Sequence, residues 1–104
     1  MTRIPNEDYT TNNMMPAIIE TIKSKLSLEE VVREYALLFD SGDELIGKCP
    51  FIGCNGSIVV DSITSYFHCD SCQRNGDILS FIMEIEYLTL REAIKVILSR
   101  YAGL

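Results

Sequence analysis

CPFIGC at residues 49–54 and CDSC at residues 69–72 contain the only four cysteines of the chain. The two pairs have the spacings C-x4-C and C-x2-C, and fourteen residues separate them. Each pair places two thiols on one tight turn, and the residues between the pairs can run out and back as a hairpin. Zinc binds four such ligands tetrahedrally, and a structural site of this kind is closed. The sequence therefore predicts one structural zinc ion with four ligands: Cys49, Cys54, Cys69 and Cys72.

Two other uses of the cysteines are alternatives to a zinc site. A pair of disulfides would suit a small exported chain. Residues 1–8 lack the apolar core of a signal peptide, so we expect a cytoplasmic protein, in which thiols stay reduced. A redox C-x-x-C pair is the third interpretation, but no βαβ pattern follows Cys69 and Cys72, and the first pair would be left without a role.

Length and composition indicate one small domain and no membrane span. A chain of 104 residues with 47% hydrophobic residues has enough apolar side chains for a single core. The longest apolar run, at residues 78–85, is interrupted by Ser80 and Glu84. No segment approaches the ~20 apolar residues that a transmembrane helix needs, so no membrane partner is expected.

The net charge of the chain argues against extensive contact with nucleic acid. Fifteen acidic and nine basic residues give a formal net charge of −6. Four thiolates and one Zn²⁺ would together add −2, which brings the zinc-loaded chain to about −8. A net negative protein repels phosphate at long range, whereas nucleic-acid-binding proteins usually have a basic face. Any contact with DNA would therefore be local and salt-sensitive.

The spacing of apolar residues predicts helices on both sides of the cysteine pairs. We expect a flexible leader at residues 1–13, followed by a helix over residues 16–26. Ser27–Glu30 has the pattern of a capping box that begins a second helix. After the cysteines, helical spacing returns at residues 78–85, and a second capping box at Thr89–Glu92 begins the last helix.

Between these helices the apolar residues follow the pattern of short strands. Residues 37–47 predict a hairpin with an acidic tip, and residues 58–60 and 66–68 predict two further strands. The cysteine pairs clip one end of the resulting sheet, whose hairpins alone would be marginally stable. The predicted fold class is α+β: a small antiparallel zinc-ribbon sheet over about residues 37–74, flanked by N-terminal and C-terminal helices in one domain of residues 14–104.

Four pieces of the sequence occur in an order that is familiar from one zinc-binding family. They are GKCPF at 47–51, FHCDSC at 67–72, GDILSFI at 76–82 and LTLREAI at 88–94. Over about residues 18–99 the chain resembles the CHC2-type zinc-binding domain of bacterial and phage DNA primases. The resemblance implies a domain that helps a primase engage single-stranded template and choose the initiation site. It implies as partners single-stranded DNA, a primase catalytic domain, and a helicase or other replication protein.

The chain departs from the family pattern at the first cysteine pair and beyond it. In the family this pair carries Cys-Pro-Phe-His, and the histidine is the second zinc ligand. Ile52 occupies that position here, and Cys54 is the replacement, so the predicted site has four cysteine ligands. The lysine and the aromatic residue that follow in the family are missing, and Asp70 replaces a frequent aromatic residue, which removes groups that favour DNA. His68 aligns with a family histidine that is not a ligand, and we leave it out of the site.

Four residues are the candidates for contact with single-stranded nucleic acid. Tyr66 and Phe67 are neighbours on one strand, so only one ring can face solvent and stack on a base. Lys48 and Arg74 flank the two cysteine pairs and could pair with phosphates. The alternative is that one ring fills the core and the two cations are solvated charges that offset the anionic zinc site.

The sequence predicts a non-catalytic domain that is part of, or a partner to, a DNA primase. Zinc with four cysteine ligands has no open position for an activated water, and no glycine-rich phosphate loop or Mg²⁺-binding acid cluster is present. One candidate function is a primase-like zinc-binding module that engages single-stranded DNA, a replication partner, or both. The alternative is a protein–protein interaction module that retains the zinc-ribbon fold without binding DNA. A purely structural role within a larger protein is a third possibility.

Overall fold

The computed structural model describes residues 16–101, in which five short strands form one antiparallel sheet. The strands are β1 (Leu38–Ser41), β2 (Glu44–Lys48), β3 (Ser57–Asp61), β4 (Tyr66–His68) and β5 (Asn75–Gly76). The helices are α1 (16–25), α2 (Leu28–Val32), α3 (Ile78–Glu86) and α4 (Leu90–Arg100). The predicted leader at residues 1–13 lies outside the described residues.

Both predicted capping boxes are present and begin the predicted helices. The Ser27 hydroxyl accepts a hydrogen bond from the Glu30 amide, and the Glu30 carboxylate accepts one from the Ser27 amide. The same reciprocal pair joins Thr89 and Glu92 at the start of α4. Each box satisfies amides that would otherwise lack a partner in the first helical turn, which is why these helices begin where they do.

The sheet is a simple meander in which each strand pairs with the next one along the chain. The hairpin between β1 and β2 turns at Gly42, whose φ of 71° suits a two-residue turn. Along β2, β3 and β4, buried side chains alternate with exposed or half-exposed ones, as the period of two predicts. The inward-facing residues of the central strands are Leu45, Ile58, Val60 and Phe67.

One strand was missing from the sequence prediction. β5 comprises only Asn75 and Gly76, and it pairs with β4 beyond the predicted end of the ribbon at residue 74. Two residues are too few to show an alternating pattern in the sequence. Gly76 has a φ of 150°, and a Cβ there would lie 2.4 Å from the Ser80 Cβ, so the start of α3 can lie against β5 only with glycine at this position.

The core lies between the inner face of the sheet and the helices. Three phenylalanines meet at its centre: ring centroids are 5.8 Å apart for Phe51 and Phe67, and 5.4 Å apart for each of these rings and Phe81. These separations suit tilted and edge-to-face aromatic packing. The helices contribute a group of fully buried side chains: Ile22, Val31, Val32, Ile82, Ala93 and Ile97.

Within residues 16–101, none of the helices combines the length and the apolar character that crossing a membrane requires.

Candidate metal centre and the outer face of the sheet

The four cysteine sulfurs converge at one end of the sheet. All four Sγ atoms lie within 4.8 Å of one another. The Sγ atoms of Cys49 and Cys72 are 3.9 Å apart, and those of Cys54 and Cys69 are 3.5 Å apart. Four sulfurs at about 2.3 Å from a tetrahedral zinc ion would be about 3.8 Å apart, so the cluster has the size of a zinc site. These thiols are free, and their separations are far longer than the ~2.05 Å of a disulfide bond.

The first cysteine turn is held by its own backbone. The Cys49 amide donates to the Gly56 carbonyl over 2.9 Å, and the Cys54 amide donates to the Phe51 carbonyl over 3.1 Å. Gly53 has a φ of 79°, a left-handed conformation that glycine adopts without strain. The Gly56 amide points at the Cys54 sulfur from 3.4 Å. The turn thus presents both thiols to the same point.

The second cysteine turn has the same design and lies very close to the first. The Cys69 amide donates to the Arg74 carbonyl over 2.9 Å, and the Gln73 amide donates to the Cys69 carbonyl over 2.8 Å. A Cβ at Gly56 would lie 2.0 Å from the Ser71 hydroxyl oxygen. Glycine at position 56 therefore allows the two turns to approach closely enough for four sulfurs to share one ion.

The protein environment shifts the pKa values of the Cys49 and Cys72 thiols in opposite directions. Burial raises the pKa of the Cys49 thiol. Burial also opposes ionisation of Cys72, but hydrogen bonds from the amide and guanidinium of Arg74 outweigh it and lower the pKa of the Cys72 thiol to about 6. Because a thiol that coordinates zinc is deprotonated outright, metal binding to this cluster releases protons.

The two cations named as candidate phosphate contacts differ in what surrounds them. Lys48 is exposed at the end of β2, and among the described residues it takes part in no ion pair. Arg74 instead lies against protein groups. Its Nε is 3.1 Å from the Glu84 carboxylate, and its guanidinium carbon lies 5.0 Å from the centre of the Phe51 ring. Of the two cations, Lys48 is the more exposed, and 30% of the Arg74 side chain remains exposed.

The two candidate stacking rings lie on opposite faces of the sheet. Phe67 is fully buried in the core, so the prediction that its ring is available to a base is wrong for this residue. The reason is the alternation of β4, which turns Phe67 inward and leaves Tyr66 outward, with 47% of its surface exposed. The Tyr66 hydroxyl donates to the Asn75 side-chain oxygen over 2.9 Å, which orients the ring on the outer face.

A row of solvent-facing side chains crosses the outer face of the sheet. Strand register places Phe39, Ile46, Val59 and His68 side by side on successive strands. Phe39 is 66% exposed, and His68 is exposed and stands outside the cysteine cluster. Sequence reasoning missed Phe39, although its place in the predicted hairpin, one residue after the inward Leu38, carried the necessary signal.

Comparison with known sequences shows which family the chain belongs to. The sequence model of the CHC2 zinc finger family matches residues 14–103. The chain belongs to this family. The predicted resemblance is therefore confirmed, and with it the α+β fold class and the single structural zinc ion.

Named relatives of the chain are DNA primases. The chain is 31% identical to the DNA primase of Borreliella burgdorferi over 80 residues, which are 76% of this chain and 15% of that primase. It is 34% identical to the DNA primase of Mycobacterium leprae over 100 residues, 94% of this chain and 14% of that primase. The chain thus spans only about a seventh of the length of the curated relatives it matches.

A solved structure shares the fold. The chain superimposes on the Aquifex aeolicus primase, solved with its zinc-binding and RNA polymerase domains, with a TM-score of 0.72 and 25% identity. The match covers 81% of this chain and 21% of that one. Fold, sequence and cysteine geometry together make this chain a zinc-binding domain of the primase type.

Proposed function

We propose that this chain is the non-catalytic zinc-binding module of a primase, and that it engages single-stranded DNA on the outer face of its sheet. The observation that supports this most is the exposed Tyr66 ring, which lies on the same face as His68 and Lys48. His68 and Lys48 lie nearer the cysteines, and Tyr66 lies nearer the hairpin end. Single-stranded nucleic acid is bound by aromatic rings that stack on bases and by cations that track the backbone. This face has both.

We take residues 14–104 as the extent of the module, with residues 1–13 as a segment that precedes it. The family match over residues 14–103 supports this extent. The module is non-catalytic by itself because four thiolate ligands leave zinc no open position for an activated water molecule. Polymerisation would belong to a catalytic domain, either elsewhere in the same protein or in a partner.

The four cysteines are the proposed zinc ligands, and a paired substitution tests the set. Cys54→Ser should weaken zinc binding strongly, because it removes one of four thiolates. His68→Ala should leave zinc affinity unchanged, because the imidazole lies outside the cluster. Zinc affinity is measured by competition with a chromogenic chelator. Equal losses in the two variants would show that the ligand set is wrong.

The charge distribution predicts where on the outer face a strand would lie. At the hairpin end, Glu44 and Asp61 lie in one row with Tyr66, whereas Lys48 and His68 lie toward the cysteines. Phosphates would avoid the acidic row, so we place them along Lys48 and His68, and only a base of the strand reaches the Tyr66 ring. The net charge of −6 makes this contact weak and sensitive to salt.

Fluorescence anisotropy with labelled oligothymidylate, titrated with salt, tests DNA binding by the zinc-loaded chain. Tyr66→Ala should weaken binding by about 5- to 150-fold, because stacking on one ring is worth about 1–3 kcal/mol. Lys48→Gln should reduce the slope of log affinity against log salt by about 0.7. The matched controls are Tyr87→Ala, an exposed ring at the C-terminal end of α3, and Lys95→Gln, an exposed cation on α4. No binding at low salt, or equal losses in variants and controls, would remove the DNA function.

An interaction with protein is the second candidate function, and an apolar cleft favours it. A cavity of about 470 Å³ lies between the start of β1 and the first cysteine turn and is lined mainly by apolar residues. Two of these, Leu37 and Phe39, are 79% and 66% exposed. Cross-linking in a native extract, followed by mass spectrometry, should recover a specific protein that is lost with Leu37→Asp and retained with Ile63→Asp, an equally exposed control. Recovery that does not depend on Leu37 would count against this function.

A further inference from the structure

We propose that Arg74 is a working part of the zinc site, in which its guanidinium donates to the Cys72 sulfur and offsets the negative charge of the metal cluster. The sequence pointed to Arg74 as a phosphate contact. The structure assigns it instead to the metal centre, as a residue that positions and stabilises a ligand.

Two protein groups hold the Arg74 side chain beside the cysteine turns. Its Nε pairs with the Glu84 carboxylate over 3.1 Å, and its guanidinium carbon stands 5.0 Å from the centre of the ring of Phe51, which belongs to the first cysteine turn. A guanidinium has five N–H donors in a fixed plane, so one side chain can serve a sulfur, a carboxylate and an aromatic face together. A solvated surface cation would not have these partners.

The backbone of Arg74 belongs to the same arrangement. Its carbonyl accepts from the Cys69 amide over 2.9 Å, and the residue lies two positions after Cys72. The backbone of Arg74 is therefore tied to the second cysteine turn. The side chain cannot leave the cluster without a change of rotamer that gives up its contacts with Glu84 and Phe51.

Charge explains why the site needs this cation. Zinc with four thiolates carries a net charge of −2, and this centre is partly buried, since Cys49 and Cys69 are 4% and 1% exposed. Removing the guanidinium would leave that charge less compensated and would also leave the Glu84 carboxylate unpaired near it. Residues that donate to metal ligands typically change metal affinity by about 10- to 100-fold when they are replaced.

Zinc competition with the full chain tests the proposal. Arg74→Met keeps an apolar stem over the Phe51 ring but removes the donors and the charge, and it should weaken zinc binding by about 10- to 100-fold. Arg74→Lys keeps the charge without the planar fork, and it should give a smaller loss. Arg91→Met, an exposed residue on α4, makes the same change in net charge and should stay within twofold of the parent chain.

Cobalt substitution supplies a readout that a merely structural role would not move. A hydrogen bond to a coordinated thiolate lowers the energy of its lone pairs, so its loss in Arg74→Met should shift the sulfur-to-cobalt charge-transfer band to longer wavelength. Arg91→Met should leave the band in place. If Arg74→Met matches Arg91→Met in both zinc affinity and band position, the proposal is overturned. If the methionine variant does not fold, Arg74→Lys decides: unchanged affinity and an unmoved band would equally overturn it.

Discussion

Different interactions stabilise the two ends of this molecule. The zinc end comprises the two cysteine turns, residues 49–56 and 69–74, and its buried apolar side chains are Cys49, Phe51 and Cys69. The helical core, by contrast, is formed by the four helices and the inner face of the sheet, and many of its side chains have no exposed surface. A few buried side chains cannot order some fourteen loop residues against conformational entropy, so the metal has to do so.

Phe51 connects the two ends. It comes from the first cysteine turn, yet its ring packs on Phe67 of β4 and Phe81 of α3. Arg74 makes a second link, since it joins the second cysteine turn to Glu84 of α3. The zinc end therefore contacts the core through the Phe51 ring and the Arg74–Glu84 pair, among other groups. We expect the two ends to unfold separately but to influence each other's stability.

Removing the metal should have the largest effect. It should unfold the zinc end while the helical core keeps part of its structure. Structural zinc sites in finger peptides contribute about 10–16 kcal/mol at pH 7, so chelation should unfold the zinc end. Hydrogen exchange should show loss of amide protection at residues 49–56 and 69–74, while circular dichroism retains part of the helical signal. Complete loss of helix at the same chelator concentration would show that the two ends form one cooperative unit.

A substitution that removes a buried side chain from the helical core should produce the next largest effect. Phe81→Ala removes a ring with no exposed surface and should lower the free energy of unfolding of the zinc-loaded chain by about 3–5 kcal/mol. Urea denaturation measures the change, with Tyr87→Ala as the matched control because that ring is 71% exposed. Because Phe51 packs on Phe81, we also expect a smaller loss of zinc affinity. A destabilisation of less than 1 kcal/mol would contradict the assignment of Phe81 to the core.

A substitution at a helix cap should act on the helical end alone. Thr89→Ala removes the oxygen that accepts from the Glu92 amide, and it should cost about 1 kcal/mol of unfolding free energy. Zinc affinity should not change, since α4 does not reach the cysteine turns through any contact described above. Ser99→Ala, an exposed hydroxyl later in the same helix, is the control. If Thr89→Ala weakened zinc binding, the two ends would be more tightly coupled than their contacts indicate.

The smallest expected effect is a dependence on pH within the helical end. Hydrogen bonds from Arg100 and Tyr35 lower the pKa of Glu86 from its ordinary value of 4.5. Ionised Glu86 therefore adds stability that is fully present above pH 4.5 and is lost as the pH falls through the lowered pKa of the folded state. The difference in urea midpoint between the parent chain and Glu86→Gln should shrink as the pH falls below 4.5. Loss of zinc at low pH affects both proteins alike and cancels in that difference, so a constant difference would contradict the prediction.

Local patterns accounted for most of the secondary structure and for the metal cluster. The capping boxes at Ser27 and Thr89 lie within three residues of their partners, and the cysteine pairs lie within single turns. Such features depend on neighbours in the chain, so they can be read without knowing the fold. The strand pattern around Phe67 likewise indicated that one of two adjacent rings is buried, but not which one.

The sequence alone determined the metal, the starts of α2 and α4 and the positions of four of the five strands, because each depends on residues a few positions apart. Only the tertiary structure decided that Phe67 lies inside and Tyr66 outside, that residues 75–76 add a fifth strand, and that Arg74 lies against Phe51 and Glu84. These outcomes depend on which surfaces the helices cover, and that is set by contacts between distant residues such as Phe51 and Phe81. No short-range pattern carries that information, since burial is a property of the packed chain.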